Sequence, residues 1–237
     1  MVLFHSSEIT VGEKPSFSEG LLTMVEVDGS GYRVLDEHNL VGGVAGLPAP
    51  SPDGERVAYG SGASSRLYLW DVGSQAFEPG DYGLAETGGE LRLANPSWAP
   101  DGKHLAWVAH RDQQFGIAVF DLETRSAWLS HFYKPAGMDG FPPQPAWSPD
   151  GRWLAFVATA EKPDEAGLWV VEAAGNHLER RIALGSNPVW SPHGQWLAFV
   201  GAPDGRQWGH WIVDTLAWSM QPLGLASDVQ LVVWLSP

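Results

Sequence analysis

The sequence predicts an all-β fold: a five-bladed β-propeller of four-stranded antiparallel blades, closed by pairing of the C-terminal strand with the N-terminal blade. Three observations carry this expectation. A Ser/Ala-Pro-Asp/His-Gly tetrapeptide recurs four times, a short apolar run follows each copy, and the chain begins and ends at complementary points of the repeat.

The turn reads Ser51-Pro52-Asp53-Gly54, Ala99-Pro100-Asp101-Gly102, Ser148-Pro149-Asp150-Gly151 and Ser191-Pro192-His193-Gly194, its third position stepping by 48, 49 and 43 residues. Asp-Gly allows the positive φ of a tight hairpin, the carboxylate accepts backbone N–H groups, and the proline presets φ. Trp98, Trp147 and Trp190 precede the turn; Pro50 takes that slot in the first copy, and Trp234-Leu235-Ser236-Pro237 is a truncated last one. After the turn come Val57-Ala58-Tyr59, Leu105-Ala106-Trp107, Leu154-Ala155-Phe156 and Leu197-Ala198-Phe199. Short apolar, aromatic-rich runs bounded by turn signals read as buried strands. A third strand ends in a carboxylate at 67–71, 117–121, 168–172 and 211–214. A more polar outer strand lies around Phe77, Trp128, 178–182 and 218–223. Four short strands in each unit of forty-odd residues form a propeller blade.

The termini decide the count. Val2-Leu3-Phe4, 22–26 and 32–35 align with the second, third and outer strands, and the missing inner strand of that unit is 229–235 at the other end of the chain. Closure of this kind removes open sheet edges. One propeller domain spans 1–237, with blades at 1–36 plus 229–237, 47–79, 94–130, 144–182 and 187–223. A fragment of a six- or seven-bladed ring is the alternative.

Composition narrows the function. The chain has 237 residues, net charge −14, 44% apolar residues and no cysteine. Such a surface disfavours nucleic acid and anionic lipid as partners. The absence of cysteine excludes disulfides and thiolate nucleophiles, and no apolar run is long enough to span a membrane. The start, MVLFHSSEIT, lacks the features of a signal peptide, so the expectation is a cytoplasmic chain, or a periplasmic one if a leader has been removed. A monomer is expected.

The tandem Trp-Ser/Ala-Pro-Asp-Gly followed by Leu-Ala-Phe resembles the TolB-like (WD-repeat-like) β-propeller repeat family, whose repeats also occur in prolyl-oligopeptidase-type peptidases. The resemblance covers nearly the whole chain. It implies a non-catalytic scaffold that binds a protein or peptide partner, and it implies a periplasmic setting. Pro50, His193, the truncated last copy and the count of five depart from the family pattern, whose members are mostly six- or seven-bladed.

The recurrent carboxylates, Asp53, Asp101 and Asp150 in the turns and Glu26, Asp71, Asp121, Glu172 and Asp214 at strand ends, read as scaffold because they repeat once per blade. Twelve of the thirteen tryptophans fall at strand positions, leaving Trp208 as the candidate exposed contact. Loops between blades differ in length, the one at 184–186 being minimal. The segment 80–93 carries Tyr82 and Glu86, and 131–144 carries His131, Tyr133 and Lys134, which suggests a lopsided recognition surface. Asn95, Gln144 and Asn187, each before a proline, offer amides either at the channel mouth or as caps at the start of inner strands. No serine-hydrolase elbow, zinc-protease motif or phosphate loop is present. Catalytic residues, metal ligands and cofactors are therefore not assigned. The alternatives to partner binding are a lactonase- or lyase-type propeller enzyme with a metal at the channel mouth, and a sugar-binding propeller.

Overall fold

A computed structural model describes, with side chains, residues 48–60, 68–74, 76, 93–137, 142–173 and 178–225 together with Ser30 and Trp234, and the backbone of the strand segments outside those ranges. The described residues form antiparallel sheets and contain no helix. β1 (Val2–Ser6), β4 (Leu21–Val25) and β5 (Arg33–Val34) make a three-stranded sheet, and β2 (Ile9–Thr10) pairs with β3 (Ser16–Phe17). β6 (Val44–Pro50), β7 (Arg56–Ser61), β8 (Leu67–Asp71) and β9 (Ala76–Glu78) form a four-stranded meander. So do β10 (Arg92–Trp98), β11 (His104–Arg111), β12 (Gln114–Asp121) and β13 (Ser126–Tyr133). The last sheet has seven strands in chain order: β14 (Ala146–Trp147), β15 (Trp153–Ala158), β16 (Gly167–Glu172), β17 (Glu179–Trp190), β18 (Trp196–Ala202), β19 (Gly209–Asp214) and β20 (Ser219–Pro222).

Each turn is built by its own residues. The buried Ser51, Ser148 and Ser191 hydroxyls accept the N–H of Arg56, Trp153 and Trp196, at 2.8–2.9 Å. Asp53, Asp101 and Asp150 accept N–H groups two residues on, and Gly54, Gly102, Gly151 and Gly194 take φ between 68° and 75°. Asp71, Asp121 and Asp214 likewise hold the turns after their strands, accepting from Ser74, from Glu123 and Thr124, and from Leu216 and Ala217. These carboxylates are occupied in folding. Glu26 lies outside the described residues.

The core lies between neighbouring sheets. Leu69, Trp98, Leu105, Trp107 and Phe120 fill one gap, and Ile117, Val119, Leu154, Phe156 and Val171 the next. A third group includes Trp153, Trp190, Leu197 and Phe199. The tryptophan before the turn adds a bond that composition did not reveal. Trp98, Trp147, Trp190 and Trp234 donate their indole N–H to the carbonyls of Ala49, Ser97, Ala146 and Val189, at 2.9–3.0 Å. Every acceptor stands one place before the tryptophan slot of the preceding repeat, so one residue type ties successive repeats together four times.

Three expectations are corrected. Segments 144–182 and 187–223 do not have a loop between them at 184–186, because β17 runs unbroken through it and joins both into one sheet. A glycine pair makes that crossing close enough: Gly185 opposes Gly201, and a Cβ on Gly201 would lie 2.3 Å from the Leu184 carbonyl oxygen. The loop expected to begin at His131 begins at Lys134, since a bulge with His131 at φ 56° lets β13 continue to Tyr133. Trp218 sits in the turn before β20, at φ 54°, not on the outer strand.

Candidate functional site

Strand directions define two ends. Ser-Pro-Asp-Gly turns and the turns after Asp71, Asp121 and Asp214 share one end; the links from second to third strand and from outer strand to next sheet share the other. At this second end, Trp208 stands 59% exposed. It follows a turn in which Asp204 accepts the N–H groups of Arg206 and Gln207 and Gly205 takes φ 69°. The sheet register places two further apolar residues toward the same end. Leu184 pairs with Ala202, Gly201 with Gly209, and Leu223 donates its N–H to the His210 carbonyl. Leu184 and Leu225 are thus carried along the same end of the sheet, 38% and 45% exposed. Neither residue carried a signal in the sequence, since an isolated leucine at a strand end looks like core.

The structure brings His131, Tyr133 and Lys134 together against the next sheet. The His131 ring lies 3.9 Å from Trp169 and 5.2 Å from Phe156, its Nδ1 is 2.7 Å from Glu179 Oε2, and its Nε2 is buried without a hydrogen-bond partner. Tyr133 is 3% exposed, and burial pushes its phenol above the usual value, against the opposing effect of hydrogen bonding at Thr159. Lys134 pairs with Glu161 at 2.8 Å and holds that carboxyl below its ordinary range. Glu161 donates its N–H to the Lys134 carbonyl, Ala136 donates to Thr159, and Pro135 bridges Ala160. The segment after β13 is zipped onto the β15–β16 link.

The amides divide. Asn95, at φ 50°, donates to the Pro142 carbonyl at 2.7 Å, while Gln144 reaches back to the Pro96 carbonyl, so the two span one gap in opposite directions. Asn187, at φ 54°, is exposed. Asparagine tolerates the left-handed region, and at Asn95 and Asn187 it sits where the register shifts within a bulge. Tyr82 and Glu86 lie outside the described residues. Among the described residues, no three histidine, aspartate or glutamate side chains converge closely enough to hold a metal ion, and no helix is long and apolar enough to cross a membrane.

Residues 86–208, just over half of the chain, match the TolB beta propeller domain. The chain belongs to that family. Solved structures support an all-β, propeller-like architecture. TolB from Acinetobacter baumannii superposes with TM-score 0.53 at 22% identity, over 86% of this chain and 48% of that one. An oligogalacturonate lyase from Vibrio parahaemolyticus gives 0.57 at 14%, over 84% and 56%. A putative 6-phosphogluconolactonase from Bacteroides uniformis gives 0.53 at 11%, over 94% and 67%. The chain therefore spans about half the length of the Acinetobacter TolB. At such identities the likeness is one of fold. No curated protein matches the sequence.

Proposed function

We propose that residues 1–237 form a single five-bladed propeller that acts as a non-catalytic scaffold, binding a protein or peptide partner through the end that carries Trp208. Membership of the TolB propeller family supports the class of activity. The observation that carries the location is the exposed aromatic, Trp208, at the end of the sheet that also carries exposed Leu184 and Leu225. Large exposed aromatics on rigid loops are the usual anchors of interfaces. His131, Lys134 and Asn187 border the same end, and Tyr82 and Glu86, outside the described residues, are included in the proposal from the sequence alone.

Two observations support closure of the ring by 229–235. The β1–β4–β5 sheet has three described strands where the complete units have four, and Trp234 bonds to a first strand as the other repeat tryptophans do. Blades at 1–36 plus 229–237, 47–79, 94–130, 144–182 and 187–223 follow from that closure. The scaffold is proposed to be monomeric, and of the two compartments its TolB kinship favours the periplasm.

Photo-crosslinking tests the assignment. A crosslinking residue at 208 captures a discrete partner, whereas one at 216, where Leu216 is 70% exposed at the opposite end, does not. Equal capture from both positions, or none from 208, overturns it.

A further inference from the structure

The opposite end holds a second feature, visible on comparing two successive gaps between sheets. In the first, Arg56 stands three residues after Asp53. Its guanidinium carbon lies 4.9 Å from the centroid of the Trp98 ring, and its Nη2 donates to the Gly102 carbonyl at 3.0 Å. In the second gap the equivalent residues are His104, Trp147 and Gly151. Histidine is too short to repeat the contact. Moreover, Ala99 replaces the serine that elsewhere caps the turn, and His104 folds back instead, its Nδ1 2.7 Å from Asp101 Oδ2 and its N–H on Asp101 Oδ1. The ring is left tilted, 6.5 Å from Trp147.

What remains is a cavity of about 380 Å³ whose walls include Asp101, His104, Trp147, Pro149, Asp150 and Gly151. Trp147 supplies an aromatic face. Asp150 is part of the wall; Ser148 and Arg152 donate to its Oδ1, and its carboxylate also borders Gly194 of the following turn. The neighbouring cations are directed elsewhere: Lys103 pairs with Glu123, and Arg152 lies over Trp153 beside Glu172. At the following gap the place of Arg56 is filled by Trp153, which is buried.

We propose that this cavity binds the guanidinium group of an arginine side chain presented by a partner polypeptide. The group stacks on Trp147 and donates to the Gly151 carbonyl and the Asp150 carboxylate. It thereby supplies from outside what Arg56 supplies within the chain one gap earlier. Guanidinium is planar, weakly hydrated and forked, which suits an aromatic face beside carboxylate and carbonyl oxygens better than a compact ammonium does. A net charge of −14 draws cationic segments towards the protein. The site lies at the far end from Trp208 and stands or falls independently of the partner-binding reading.

The test titrates the full chain with acetyl-Gly-Arg-Gly-amide, its lysine and citrulline counterparts, and free L-arginine, followed by amide and indole NMR. The arginine peptide shifts the signals of Trp147, Asp150 and Gly151, the citrulline peptide does not, and the lysine peptide binds more weakly. Asp150→Asn, which keeps the turn acceptor, weakens binding about tenfold, the loss expected for one charged hydrogen bond. His104→Arg fills the cavity from within and abolishes binding without lowering the melting temperature, while Trp208→Ala leaves binding unchanged. Absence of binding, equal binding of the citrulline peptide, undiminished binding to a folded His104→Arg variant, or binding of free arginine but not the blocked peptide would each overturn the proposal.

Discussion

A carboxylate that recurs once per repeat invites a catalytic or metal-binding reading, and its partners show why the reading fails. The turn aspartates and those at strand ends accept N–H groups two or three residues further on. The Ser51 hydroxyl leads the causes that hold Asp53 below the ordinary 3.8, and the Thr124 N–H leads at Asp121. At Asp101 burial pushes the other way but is outweighed by the Lys103 N–H and the contacts from His104. A depressed folded-state value means that ionised turns contribute stability above the unfolded value. That contribution is lost as pH falls through the lower folded-state values. Melting temperature is therefore expected to hold steady from pH 7 to about 5 and to drop below about pH 4. Asp121→Asn should flatten that acid limb; an unchanged acid limb in the variant would show that these turns do not carry the effect.

Among the elements, β17 is the one that breaks the repeat's punctuation. Between β13 and β14 the outer strand of one unit and the first strand of the next are separate, and here twelve residues do both jobs. Gly185 and Gly201 make this possible, because the chains approach so closely that a Cβ on Gly201 would meet a backbone oxygen at 2.3 Å. Backbone cannot give way as a side-chain tip can. Gly201→Ala should cost about 1–3 kcal/mol in urea unfolding, the range for forced overpacking. An unaltered midpoint would mean that the crossing is looser than its geometry.

For the whole molecule, stability resides where successive repeats pack against one another, where the large aromatic residues are buried and where four tryptophans each tie one repeat to the one before. The C-terminal segment contributes the last of those ties through Trp234 and Val189. Deleting 229–237 is expected to lower the melting temperature or drive association through the exposed edge. Size-exclusion chromatography and thermal melts check this, and a monomeric product with unchanged melting would argue against ring closure. The same arrangement leaves two separate ends available for recognition, an apolar one around Trp208 and an acidic, aromatic one around Trp147.

Much of this was legible in the sequence, because each Ser-Pro-Asp-Gly turn closes on partners no more than five residues away and local chemistry suffices to specify it. The strand order and the family followed from recurrence of that local unit. Partners 44–50 residues apart were not legible: the acceptors of the four indoles, Asn95 with Pro142, His131 with Glu179. They exist only once the sheets stand side by side, and no local pattern encodes them. The same holds for the cavity beside Trp147. It arises because His104 occupies the position of Arg56, and the consequence of that difference appears only across a gap between two sheets.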